Sequence, residues 1–510
     1  MNMKSQDDLR EAYYTFVQAM LEGDTASLRH LLDADFTLPH LTGEVQPLDS
    51  WLGEIDDGQF IYHRIDTVNL AVSATPMPLA DHGYVENEYF VSGDAHRYRI
   101  PARKTTAEII DAGHPYTTRV LVRRPADARK FNGTVVVEWL NVTLDQDVDF
   151  IFGATRELLV RDGYAWVGVS AQRNGVAAMK KWNPERYAAL DVSASNIDPT
   201  DGSEIDPADP LIMAVGGDVL SWDTFSQIGR HDGNSGLLGG LNAQRLIAAS
   251  ESQSTLKVST YFNAIQPLHS IYDGYLFYDR SADLRTDVDA EVVAIGTEIF
   301  TQLMGVAPQN DTDTMRWWEI NGASHFSLSE IQDYVDLFIA RDAAFPSPLG
   351  TGMSLSERIR ANGPCVPSHS YSRVPNGDIL KAALHSLNRW ISGGQAPVTA
   401  PRFVLDDQVP PHYVRDANGQ VLGGIRTAAQ DAPMARNGGI DSDSWFCGPS
   451  GYHVDFTPAE MCERYGSHKA YVDRVRTVAD ANVRSGFLLK EEVERPIKDA
   501  EATSFSCSAN

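Results

Sequence analysis

Five short apolar runs separated by helical stretches constrain this chain more than any other feature. They are NGTVVVEWLN at 132–141, YAWVGVSAQ at 164–172, RLIAAS at 245–250, EVVAIGTE at 291–298 and RWWEING at 316–322. None shows the strict polar alternation of a strand with one wet face, so each reads as a strand covered on both sides. Between them lie stretches of helical periodicity, among them DFIFGATRELLVRDG, which ends at Gly163, and STLKVSTYFNAIQ. HPYTTRVLVRRP, ahead of them, reads as one more strand. Strand alternating with helix predicts βαβ units and a fold of the α/β class, a mostly parallel sheet flanked by helices. In such sheets chemistry sits beyond the carboxyl ends of the strands. The residues that close each run are therefore the first place to look.

RLIAAS runs straight into Ser250-Glu251-Ser252-Gln253-Ser254 and then into the helical stretch. A serine hydroxyl is a poor nucleophile until a base is adjacent and its oxygen is held exposed. A tight strand-to-helix turn does the holding, and it requires small residues two before and two after the nucleophile, hence the usual G-x-S-x-G. Here serine stands in place of both glycines. The geometry of such a turn selects Ser252 as nucleophile with Ser250 and Ser254 as flankers; an ordinary helix N-cap is the plain alternative. A nucleophile of this kind is followed in chain order by an acid and then a histidine, each past a strand end. Glu298 closes EVVAIGTE and His325 follows RWWEING after an Asn-Gly turn. Asp311 and Asp313, in the polar loop QNDTDT, are rival acids. For the oxyanion, the backbone N–H of Gln253 and a donor from Asn141 or Val142, after the VVVEWL run, are the expected pair. Acyl transfer would then proceed through an acyl-enzyme, with the histidine as base.

Several longer segments carry a family resemblance: YVENEYFVSGDAHRY, GTVVVEWLNVT, FSQIGR, AASESQS, TYFNAI, TEIF, WWEINGASH, GGIRT and YVDRVRTVADANVRSGFLL. Together they resemble the alpha/beta-hydrolase-domain family of bacterial and fungal esterases, the tenth alpha/beta-hydrolase family, over residues 84 to about 500. The resemblance implies an alpha/beta-hydrolase fold and a serine esterase with a Ser-Glu/Asp-His triad, carried over as Ser252, Glu298 and His325. It leaves the substrate open. Residues 1–75 differ in character. Tyr13, Phe16, Val17, Met20 and Leu21 recur at helical spacing, and Thr25 is placed to cap a second helix with Leu28, Leu31 and Leu32. This stretch resembles the opening of a small α+β nuclear-transport-factor-2-like (NTF2-like, SnoaL-type) domain, used elsewhere as a pocket or a dimerisation module. Asp35, His40 and His63 would be its site residues. The Pro/Ala-rich segment 76–83 reads as a linker.

Two further segments are candidates for specificity. Residues 173–240 form a long insertion that reads as a lid. Residues 341–440 form a Pro-rich extension with a hairpin signal at Asn418-Gly419. Trp182, Trp222 and Trp445 are candidates to line an acyl or alcohol pocket. DILKAALHSLNRWISGG reads as an amphipathic helix over the core.

A net charge of −26 repels nucleic acid and anionic membrane surfaces, and no stretch has the length and apolarity of a membrane span. The start, MNMKSQDDLREAYYTF, has no apolar signal-peptide core, so a cytoplasmic protein with reduced thiols is the expectation. The four cysteines, Cys365, Cys447, Cys462 and Cys507, lack metal-ligand spacing; a Cys447–Cys462 bridge is the pairing weighed. No phosphate-cradling or dinucleotide loop occurs, so no cofactor and no metal are expected. The reading is a carboxylesterase-type hydrolase of small-molecule esters, with a homodimer open. An acyltransferase or lactonase on the same fold, and a non-catalytic binding or scaffold protein, are the alternatives.

Overall fold

The structure, a computed structural model, describes residues 19, 24–32, 37–39, 45–50, 52, 72–100, 104–144, 146–193, 218–232, 236–279, 282–299, 309–325, 327–337, 342, 371–408, 412–417, 419–440 and 448–507. The chain divides into two units, Met1–Ala71 and Val72–Asn510. In the first, helix Thr25–Leu31 and an antiparallel pair, Thr37–Pro39 with Val45–Pro47, are described. The helix is capped by Asp24, one residue before the expected Thr25, whose carboxylate accepts the Ser27 N–H at 3.0 Å. Asp35, His40 and His63 lie outside the described residues.

The second unit is built on one eight-stranded sheet. Its strands are β1 (Tyr84–Arg99), β2 (Glu108–Pro125), β3 (Thr134–Trp139), β4 (Ala165–Val169), β5 (Arg245–Glu251), β6 (Gly274–Tyr278), β7 (Glu291–Gly296) and β8 (Met315–Glu319). Their order across the sheet is β1-β2-β4-β3-β5-β6-β7-β8. The six from β4 to β8 run parallel, while β1 and β2 pair antiparallel at one edge and β2 pairs antiparallel with β4. Strand β6 follows no run identified in the sequence. Every residue of β3, β4 and β6 is buried, which is why those runs are mostly apolar.

Helices cover both faces. Val135, Val137 and Trp139 of β3 pack with Trp222, Phe225 and Ile228 of a helix at Ser221–Asp232 and with Val258 of the helix after β5. The alternate residue Glu138 points to the other face, where its carboxyl accepts the N–H groups of Ile151 and Phe152, both at 2.9 Å. Those two N–H groups open helix α1 (Phe150–Arg161), and an acidic side chain meets the unsatisfied donors and positive end of a helix there. Helix α1 packs against the long helix Asn376–Ile391, the amphipathic segment read from the sequence.

Trp222 is therefore a core residue, its indole N–H donating to Lys257 O at 3.1 Å, and not a pocket wall. Trp182 packs against Tyr187, with ring centroids 6.2 Å apart. Trp445 and residues 194–217, the middle of the expected lid, lie outside the described residues. The hairpin signal corresponds to an antiparallel bridge between Arg415 and Val421, with Gly419 at φ 81°. The last helices, Pro458–Tyr465, His468–Arg484 and Glu494–Ala502, enclose a small core of their own around Phe456, Met461, Tyr471 and Val475. Phe505 packs on His468 and Tyr471, which brings the C-terminal tail back to the first of these helices. Cys462 and Cys507 are bonded there, so these two thiols are not reduced and Cys462 does not pair with Cys447. Cys365 and Cys447 lie outside the described residues. Among the described residues, no helix is long and apolar enough to cross a membrane.

Candidate active site

Strand β5 ends at Glu251 and helix α2 (Gln253–Thr260) starts two residues later, leaving Ser252 alone at the turn. Its backbone lies at φ 52° and ψ −119°, a region that costs a non-glycine residue on the order of 1–3 kcal/mol. Local hydrogen bonds offset that cost. Ser252 N–H donates to Tyr278 O at 3.0 Å, and the N–H and hydroxyl of Thr255 reach Ser252 O at 2.9 and 2.6 Å. The flanking serines are both fully buried. The Ser254 hydroxyl accepts the Glu251 N–H at 3.0 Å and donates to Glu251 O at 2.7 Å, a stitch across the turn that glycine could not make. The strained turn is the sequence expectation for Ser252, and a simple N-cap does not describe it, since the Ser252 side chain makes no capping bond.

His325 sits in the loop after β8. Its Nε2 is 2.7 Å from Ser252 Oγ, and its Nδ1 is 2.5 Å from Asp279 Oδ2. The imidazole is 5% exposed and Asp279 is fully buried, so this chain of contacts is largely shielded from solvent. Asp279 follows β6 directly, at φ 53°. Its Oδ1 accepts the Thr297 N–H at 2.7 Å and its Oδ2 accepts the Thr297 hydroxyl at 2.8 Å. Two donors on one carboxylate fix its orientation and leave Oδ2 facing the imidazole.

The acid expected from the sequence was Glu298, and the structure puts it elsewhere. Its Oε1 accepts the Gly322 N–H at 2.9 Å and its Oε2 pairs with Arg415 Nη2 at 3.3 Å. Burial raises its carboxyl above the usual range, and Arg415 draws it back. Glu298 thus ties down the Asn321-Gly322 turn that precedes His325 rather than touching the imidazole. The same turn is held from the C-terminal extension: Asn321 Nδ2 donates to Gly423 O at 2.8 Å, and Asn321 N–H to Ile425 O at 2.9 Å. GGIRT is the segment that runs beside the end of β8. Asn376 then fastens the histidine loop, its amide donating to Ser324 O and to Tyr278 Oη, both at 2.7 Å. Asp311 is paired with Arg402 at 2.7 Å and accepts the Trp317 N–H at 2.9 Å, on the loop before β8.

Asp279 carried one readable signal. GYLFY is a short apolar and aromatic run closed by an acid, the same pattern that marked Glu298. Counting it as a strand would have offered two acids at neighbouring strand ends.

Of the expected oxyanion donors, Gln253 opens α2, where the first N–H groups have no partner within the helix. Val142 N–H points at the same turn, 3.4 Å from the Gln253 side-chain oxygen. Asn141 is committed elsewhere, which removes it as a donor. Its N–H bonds Val148 O at 3.0 Å, and its side-chain amide donates to Glu251 O at 3.0 Å and Glu251 Oε2 at 2.9 Å.

Several solved structures are similar. A serine hydrolase without lid from Xanthomonas campestris aligns over 54% of this chain and 97% of its own, at 10% identity and a TM-score of 0.25. The esterase Est22 aligns over 48% of this chain and 74% of its own, at 11% identity and a TM-score of 0.25. A fungal esterase from Rhizomucor miehei aligns over 51% and 83%, at 11% identity and a TM-score of 0.27. No curated protein matches the chain. The model of one family matches residues 56–498, the greater part of the sequence and all of the sheet that carries Ser252, Asp279 and His325. The chain belongs to that family, the alpha/beta hydrolase domain family.

Proposed function

We propose that this protein is a serine hydrolase of carboxylic esters, with Ser252 as nucleophile, His325 as base and Asp279 as the acid that orients it. One observation carries the reading: a serine at a strained strand-to-helix turn lies 2.7 Å from an imidazole nitrogen whose other nitrogen is 2.5 Å from a buried carboxylate. As Ser252 attacks the ester carbonyl, His325 Nε2 takes the hydroxyl proton. Asp279 holds the ring in the tautomer with hydrogen on Nδ1 and stabilises the imidazolium. The N–H groups of Gln253 and Val142 are the donors suited to the developing oxyanion, and such a donor contributes on the order of 3 kcal/mol to lowering the barrier. His325 then protonates the leaving alcohol, and water, deprotonated by the same imidazole, releases the acid.

A fluorophosphonate probe tests the assignment. The wild type becomes labelled on Ser252 and loses its activity on para-nitrophenyl esters, while Ser252→Ala takes up no label. Equal labelling of both proteins would move the nucleophile elsewhere.

A further inference from the structure

Glu251 is a buried carboxyl to which the hydrolytic reading gives no task. It is 2% exposed and immediately precedes the nucleophile. Its Oε2 accepts the Asn141 amide at 2.9 Å. Its Oε1 lies 3.2 Å from His325 Nε2, the atom that must exchange protons with Ser252 and with the leaving group, and makes no hydrogen bond of its own. We propose that Glu251 is a positioning residue of the site: it stands beside His325 as a neutral acid, and its ionisation shuts off the transfer of the Nε2 proton to poor leaving groups. The inference rests on the reading of Ser252 and His325 given above.

The surroundings explain why the neutral form prevails. Burial comes first, and the carboxyls that face Glu251 come next: Asp279 after β6, Glu330 after β8 and Glu138 on β3. These push its carboxyl well above the usual range, and the Asn141 amide draws it back in part. Glu330 is itself pushed up, to about 7, chiefly by burial. Because Oε2 is the acceptor of the Asn141 amide, the acid proton belongs on Oε1, facing the imidazole.

A neutral Oε1–H holds the hydrogen that His325 Nε2 acquires during attack far more weakly than a carboxylate would, so that proton is free for the departing alkoxide. Once Glu251 loses its proton to solvent, a carboxylate stands 3.2 Å from Nε2. In a site shielded from water, a charge-assisted bond of that kind is strong. It retains the proton that an alkoxide needs in order to leave. An alkyl ester, whose alkoxide requires that proton, is slowed. A para-nitrophenyl ester, whose phenolate leaves without one, is not.

The test compares kcat/KM for an ethyl and a para-nitrophenyl ester of the same acid, as a ratio, across the alkaline range. In wild type the ratio falls about tenfold per pH unit once Glu251 ionises, as for a single group. In Glu251→Gln it stays level. A level ratio in wild type, or the same fall in both proteins, overturns the proposal. If Glu251→Gln does not fold, Glu330→Gln serves: removing a facing carboxyl lets Glu251 ionise earlier, so the fall moves to lower pH, and an unmoved fall overturns the proposal. Fluorophosphonate labelling of Ser252 is scored separately. A labelled Ser252 with no Glu251 effect leaves the hydrolytic reading standing, whereas an unlabelled one removes both.

Discussion

Asp279 and Glu298 close neighbouring parallel strands, β6 and β7, and both are buried carboxyls near the histidine loop. Their backbones separate them. Asp279 turns at φ 53° straight after its strand and presents a short side chain to the imidazole. Glu298 lies two residues past Gly296, with a longer side chain that reaches the Gly322 N–H and Arg415. The end of β7 serves both duties, since Thr297 holds Asp279 while its neighbour Glu298 holds the turn before His325. Both are thus acids within two residues of a strand end. What separates them is one residue of offset from the strand end, the sign of one backbone dihedral and one methylene of reach.

Three substitutions bear on that contrast. Asp279→Asn should have the largest effect: an amide at that position favours the wrong imidazole tautomer, and kcat should fall by about 10⁴-fold. Ester turnover normalised to fluorophosphonate-reactive sites measures it. An equal loss in Glu298→Gln alone would exchange the two roles. Thr297→Val removes one hydroxyl from Asp279 Oδ2 and should lower kcat about fivefold, in line with a single hydrogen bond worth roughly 1 kcal/mol. Glu298→Gln should change kcat least, by a few-fold, and cost about 1–3 kcal/mol of stability in urea unfolding, because Arg415 loses its ionic partner.

Much of the fold is legible in the sequence for a physical reason. A strand covered on both faces is built round a continuous apolar run, and β3, β4, β5, β7 and β8 each contain one. Strand β1 shows no such run because it is only partly buried along most of its length. Strand β6 follows its helix after only four residues, so its short run reads as the tail of the helical stretch ahead of it, although Asp273-Gly274 marks the break. Without that strand the expected acid falls at the next strand end, on Glu298 in place of the Asp279 proposed above. Ser252 and His325 were readable because small flanking residues and a strand-end turn are local properties. Asn141 was readable as a position but not as a role, since its partner, Glu251, lies 110 residues further along the chain.

The histidine loop is fastened from beyond itself. Asn376 grips Ser324 and Tyr278, the Ser372 hydroxyl donates to Gly322 O at 2.8 Å, and the segment at 421–425 flanks the turn. The eight strands can thus be complete while the loop that carries His325 still lacks these fastenings. On the assignment proposed above, hydrolysis therefore needs residues 372–425 in place as well as the sheet.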